Sequence, residues 1–172
     1  SMVESLGTLL RATLSNKKPL VSLDYEIGLA GSYMTIQKIR FEDRLLFHVE
    51  CPEELGKALI LPLTIQPLLE NAIRYGMEEM MDTCEISIRT RKEGTLLIVE
   101  VSNEGSVFED SLLEKLQDGT KNAHGFGIGL VNIHQRIQML FGDSYGLSFK
   151  NQDEKAIAII TIPYKTEEDD YA

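Results

Sequence analysis

The sequence predicts an α+β domain in which a mainly antiparallel sheet carries helices on one face. Three observations predict it. Two stretches at the start space their apolar residues as helices do, and five later stretches read as strands. Two further helical stretches interrupt those strands.

In chain order, residues 3–14 form the first helix, with Leu6, Leu9, Leu10 and Leu14 on one face; Asn16-Lys-Lys-Pro19 breaks it. Ser22 is the N-cap of a second helix reaching about Arg40, whose apolar positions are Leu23, Ile27, Ala30, Met34, Ile36 and Ile39. Residues 44–51 (RLLFHVEC) read as a strand, closed by a turn at Pro52-Glu-Glu. A third helix starts at Thr64 as N-cap, with Pro67 in its first turn, and runs through Tyr75 to stop at Gly76. Residues 84–91 and 95–102 alternate as strands across Lys92-Glu-Gly94. A polar segment with one helical turn at 111–116 follows. A last helix over 127–141 ends at Gly142, and residues 145–150 and 155–164 close the chain as a hairpin. Residues 166–172 are an acidic tail.

Composition bounds the function. With 17 Lys+Arg against 27 Asp+Glu, the 172-residue chain carries a net charge of −10, and 43% of it is hydrophobic. Aliphatic residues recur throughout, which excludes general disorder. The longest apolar runs, 96–99 and 156–162, fall short of the about 18 residues a membrane helix needs. The acidic balance excludes nucleic acid held by excess Lys and Arg, and on its face disfavours a strongly anionic ligand. Cys51 and Cys84 lack CxxC spacing and read as reduced, partly buried thiols. Ser1-Met2 reads as a cloning remnant ahead of an internal segment of a longer protein.

Three segments carry candidate chemistry. On the helix from Thr64, at about 100° per residue, Gln66, Glu70, Arg74 and Asn71 fall within about 140°, opposite Ile65, Leu68, Leu69, Ala72 and Ile73. An amphipathic surface helix has the same pattern; so does one offering an amide, a carboxylate base and a cation to a single ligand. A side-chain amide with phosphate oxygens suits Mg²⁺. In Gly125-Phe-Gly-Ile-Gly-Leu130, alternate glycines ahead of a helix leave backbone N–H groups free for phosphate, or simply make a turn. The spacing is neither GxGxxG nor a P-loop. Val101-Ser-Asn-Glu-Gly105, at a strand end, is either a β-turn or a site for a base edge.

Taken in order, ILPLTIQPLLENAIRYG, VEVSNEG and HGFGIGLVNIHQRIQMLFG resemble the nucleotide-binding boxes of the GHKL ATPase/kinase superfamily. More narrowly, they resemble the catalytic domain of LytS/YesM-type sensor histidine kinases, and YMTIQKIRFEDRL (33–45) resembles the segment ahead of that domain. The resemblance covers about residues 6–163. It implies a two-layer α/β sandwich, the GHKL or Bergerat fold, over residues 41–165, with 1–40 as the end of a dimerisation and phosphoacceptor region. ATP would lie between the helix layer and a lid at 104–124. Carried over by position, Asn71 would hold Mg²⁺, Glu70 would act as base or orient the acceptor imidazole, and Arg74 and Tyr75 would lie at the nucleotide. Asn103 and Gly105 would shape the adenine pocket. His124, Gly125, Phe126, Gly127, Ile128, Gly129 and Leu130 would hold the triphosphate, with Asn132 and Arg136 behind them.

Two departures stand out. The family's D-x-G-x-G reads Asn103-Glu-Gly-Ser-Val107 here. Exchanging a charge-assisted bond for a neutral one weakens nucleotide binding about five- to tenfold, and Val107 removes backbone freedom at the lid. The resemblance further implies phosphoryl transfer from ATP to a histidine on an upstream domain, then to a response regulator. The parent would be a homodimeric, membrane-anchored bacterial sensor with this domain in the cytoplasm. None of His48, His124 and His134 lies in a phosphoacceptor motif, so the chain is expected to bind ATP without phosphorylating itself. A nucleotide-binding pseudokinase, and a GHKL ATPase or protein serine kinase, are the alternatives.

Overall fold

The computed structural model describes residues 1–15, 19–78, 81–118 and 126–167. Helix α1 (Met2–Ser15) and a two-residue strand β1 (Val21–Ser22) lead into α2 (Leu23–Phe41). Ser22 caps α2 as its position predicts: its backbone is extended and its hydroxyl accepts the Tyr25 N–H at 3.2 Å. Leu23, Leu29, Ala30, Met34 and Phe41 are buried, but Ile39 is 54% exposed and does not belong to the inner face.

A 3₁₀ turn (Glu42–Arg44) enters β2 (Leu45–Glu50), and a second (Glu53–Leu55) precedes β3 (Leu59–Ile60). β3 pairs antiparallel with β1, Val21 opposite Ile60. This two-stranded ribbon was not foreseen, because two residues carry no periodicity. Helix α3 (Ile65–Ile73) continues into a π-helical turn (Arg74–Glu78). The regular helix therefore ends before Tyr75, and Gly76 lies inside the turn rather than at a stop. β4 (Cys84–Glu93) and β5 (Leu96–Glu104) meet at Gly94-Thr95, with Gly94 at φ +59°. They are longer than their alternation suggests, and Lys92-Glu93 belongs to the ladder. α4 (Leu112–Gln117) and α5 (Phe126–Phe141) follow, then β6 (Gly146–Gln152) and β7 (Lys155–Pro163). Gly142, at φ +109°, ends α5 with its N–H on the Gln138 carbonyl.

The main sheet has the order β2-β4-β5-β7-β6. Its single parallel pair is β2–β4, with α3 in the crossover between them; the other pairs are antiparallel. Cys84, Ile86 and Ile88 of β4, Leu97, Val99 and Val101 of β5, and Ala158, Ile160 and Ile162 of β7 are buried in one cluster with Leu68, Leu69, Leu130, Ile133 and Ile137 of α3 and α5. The alternate positions make a polar outer face, where Ser87 and Ser102 share a 2.7 Å hydroxyl bond and Arg91 pairs with Glu100 at 2.8 Å. This is the two-layer α+β arrangement the sequence predicts. Cys51 and Cys84 are free thiols. Among the described residues no helix is long and apolar enough to cross a membrane.

Candidate functional site

The two faces of α3 separate as the angular spacing predicts. Ile65, Leu68, Leu69, Ala72 and Ile73 are buried; Gln66 and Asn71 are half-buried, and Glu70 and Arg74 exposed. Gln66 donates its amide to the Glu70 carboxylate at 3.2 Å, and the Arg74 guanidinium lies over the Tyr75 ring, 5.8 Å from its centre.

What caps α3 corrects the sequence reading. Thr64 is fully buried, its backbone is helical (φ −105°, ψ −34°), and its hydroxyl donates to the Leu61 carbonyl instead of accepting a helix N–H. The cap comes from α2. The Glu26 carboxylate, 2% exposed, accepts the Leu63 N–H at 2.8 Å, and the backbone of Thr64 and Ile65 also favours its charged form. Burial pushes its pKa up, and those backbone groups and the nearby Arg136 charge oppose the rise. Arg136, a candidate for the phosphates, donates instead to the Pro62 carbonyl at 2.9 Å. Asn132 is exposed on the same helix.

Asn71 and Tyr75 line one cleft together with Asn103 of β5 and Leu130 of α5. Four residues from three separate sequence boxes thus meet. Leu68, Ala72, Val101, Ala158, Phe108 and Phe149 complete the walls. The cleft is about 10 Å³, room for roughly one water. Two larger hollows, of about 280 and 590 Å³, flank the 104–114 segment and contain none of the α3 residues. They are open to solvent, and their size is no guide to chemistry.

Phe108 and Phe149 are the wall residues that motif reading missed. Their rings meet at 4.8 Å, and Asn151 of β6 holds Phe108 by both backbone groups, at 2.8 and 2.7 Å. Asn103 is 4% exposed, and its Nδ2 donates to the Glu104 carbonyl at 3.1 Å and to Ser106 Oγ at 2.7 Å. The carbonyl partner requires the NH₂ end there, so Oδ1 is left as an acceptor. Gly76 was read only as a stop, but it makes this packing possible. A Cβ there would come within 2.7 Å of Cys84 Sγ and 3.3 Å of Asn103 Nδ2. Gly105 turns the chain at φ +82°, while Val107 keeps a negative φ and needs no glycine.

Phe126, Gly127, Ile128 and Gly129 form the first turn of α5, so their N–H groups have no partner within the helix. A Cβ on Gly129 would meet nothing within 4 Å, leaving its backbone open to close approach. His124 and Gly125 lie outside the described residues. Among the described residues no three His, Cys, Asp or Glu side chains cluster as metal ligands. Asn71 makes no side-chain hydrogen bond to another described residue, so its amide oxygen suits a cation shared with an anionic ligand.

Two family models match parts of the chain. The model of the histidine kinase-, DNA gyrase B- and HSP90-like ATPases matches residues 56–166, and a histidine kinase model matches residues 1–45. The chain is 41% identical to the sensor histidine kinase YesM of Bacillus subtilis (strain 168), over 96% of this chain and 28% of that protein. It therefore spans little more than a quarter of the length of such relatives. The catalytic domain of histidine kinase ThkA superposes with a TM-score of 0.63 at 21% identity, over 86% of this chain and 97% of that one. ThkA in complex with the response regulator protein TrrA gives 0.60 at 20% identity, over 95% and 48%.

Proposed function

The chain belongs to the histidine kinase-, DNA gyrase B- and HSP90-like ATPases, and from that membership we propose that it is the ATP-binding catalytic unit of a LytS/YesM-type sensor histidine kinase. It transfers the γ-phosphoryl group of ATP to a histidine on its own upstream domain. The observation that carries the reading is the convergence of Asn71, Tyr75, Asn103 and Leu130 on one cleft beside the start of α5. In this reading residues 1–40 are the helical lead-in, 41–165 the catalytic domain and 166–172 an acidic tail. The parent protein is a homodimeric, membrane-anchored bacterial sensor with this unit in the cytoplasm, and it passes the phosphoryl group on to a response regulator.

The adenine ring enters the cleft by displacing Phe108, and its amino group donates to Asn103 Oδ1. The triphosphate meets the free N–H groups at the start of α5, where the helix dipole favours negative charge. The Asn71 amide would hold Mg²⁺, which neutralises phosphate charge when bound. Glu70, exposed and holding the Gln66 amide, faces outward to an acceptor imidazole from another domain. The imidazole nitrogen attacks the γ-phosphorus, the bond to the ADP oxygen breaks, and Glu70 takes the imidazole proton. Arg74 adds positive charge near the leaving phosphates.

Thermal unfolding with Mg²⁺ and ATP tests this. At 100 times its dissociation constant, ATP stabilises the chain by about 2.7 kcal/mol, and Asn71→Ala loses most of the Mg²⁺-dependent part. No shift in the wild-type chain at millimolar nucleotide overturns the reading.

A further inference from the structure

We propose that Glu26 is a positioning residue for the nucleotide site: its carboxylate, reaching from α2, fixes where along its axis α3 presents Asn71 and Glu70. This rests on the reading of the cleft as a nucleotide site.

Glu26, Tyr33 and Arg40 are spaced by seven residues, so they form one stripe along α2 with about 20° of drift at each step. Glu26 and Arg40 meet the site helix and its continuation at opposite ends. Glu26 accepts the Leu63 N–H just ahead of the first turn of α3, at 2.8 Å. Tyr33 lies in the field of Glu70 and Glu78, which add to burial in pushing its hydroxyl up to about 12. Arg40 pairs with Glu78 at 2.8 Å at the far end, and Arg44 donates to the Met77 carbonyl at 3.3 Å. At about 1.5 Å per residue, Glu26 to Arg40 spans about 21 Å along α2. The two helices run parallel and are fastened at both ends, which makes α2 a splint.

The choice of cap supports a role beyond stability. Thr64 stands in the N-cap position, and a local Ser or Asn cap would satisfy the free N–H groups without burying a charge. Instead a carboxylate is drawn from a helix 37 residues away. What the distant cap adds is a fixed relation between two helices. Leu63, held at φ +57° by this arrangement, marks the place where the chain is constrained. Arg136 ties the same loop to α5 through the Pro62 carbonyl, so the helices at both ends of the triphosphate refer to one carboxylate.

The experiment measures ADP affinity of the whole chain by calorimetry, with Mg²⁺ and with the metal chelated, well below each variant's unfolding midpoint. The readout is the ratio of the two dissociation constants. In Glu26→Ala a displaced Asn71 loses the metal contribution, and the Mg²⁺ enhancement falls about tenfold or more, in the range seen when groups supporting metal ligands are removed. Glu26→Gln keeps one oxygen acceptor for the Leu63 N–H and restores part of the enhancement. A cap that served stability alone would lower the midpoint and leave the ratio unchanged in both variants, which overturns the proposal. Should Glu26→Ala not fold, Glu26→Gln decides by the same ratio. A wild-type chain that binds no nucleotide overturns the nucleotide-site reading instead.

Discussion

The Leu147 N–H donates to Nδ1 of His134 at 3.0 Å, a bond only the unprotonated nitrogen accepts. The imidazole is 8% exposed and packs on Gly146, where a Cβ would come within 2.5 Å of the ring. Burial holds its pKa below the usual histidine range. A depressed pKa in the folded state means that only the unfolded chain takes up this proton as pH falls below about 6.5. The contribution is therefore complete above that pH and is lost as pH falls towards the folded value, by up to about 1.4 kcal/mol per unit. Urea unfolding at pH 7.5 and 5.5 checks it: His134→Gln, which cannot titrate, shows a smaller loss at pH 5.5 than the wild-type chain. Equal losses in the two proteins would show that His134 does not titrate in this range. At this scale the site was partly legible. Asn71, Tyr75, Asn103 and Leu130 stood in motifs that mark them, and they meet at the cleft. Phe108 and Phe149 stood in none, because their contact depends on the register of β6 and on Asn151 reaching back to the Phe108 backbone.

At the scale of elements, the hairpin between β6 and β7 turns through Asp153 and Glu154 alone, at φ +52° and +62°. Two left-handed residues match the twist of a two-residue hairpin; Asp tolerates that region, but Glu pays a steric penalty there. Glu154→Gly should raise stability by about 0.5–1 kcal/mol without changing nucleotide affinity, as read by chemical denaturation and calorimetry; a destabilised variant would contradict the strain argument. Such turns show how far local sequence reaches. The periodicity of α2, α5 and the strands and the Ser22 cap were legible, since each is settled by residues within a few positions. The α3 cap was not, because its acceptor lies 37 residues away and the local candidate, Thr64, turns its hydroxyl to Leu61. Nor was the π turn, in which Gly76 packs too closely against Cys84 and Asn103 for a Cβ.

For the whole molecule, a net charge of −10 disfavours an anionic ligand only if charge is averaged over the surface. The proposed site offers α5 N–H groups, the Asn71 amide and Arg74 locally, while acidic residues such as Glu85 and Glu100 lie on the outer face, paired with Lys155 and Arg91. The same architecture bears on which histidine receives the phosphoryl group. His48 lies on that outer face, its ring 3.9 Å from Glu85, with the sheet between it and α3. His134 is buried with Nδ1 already engaged. Neither reaches an imidazole nitrogen to the exposed side of Glu70. Incubated with γ-labelled ATP and Mg²⁺, this chain should acquire no acid-labile label at His48 or His134. A longer protein that includes an upstream acceptor helix should acquire it. Glu70→Gln in that longer protein should slow labelling by about a hundredfold or more, the usual worth of a positioned base. The nucleotide affinity should be little changed, since Glu70 is not among the residues lining the cleft. Label on either of the two histidines of the isolated chain would mean that α3 serves an acceptor within its own domain.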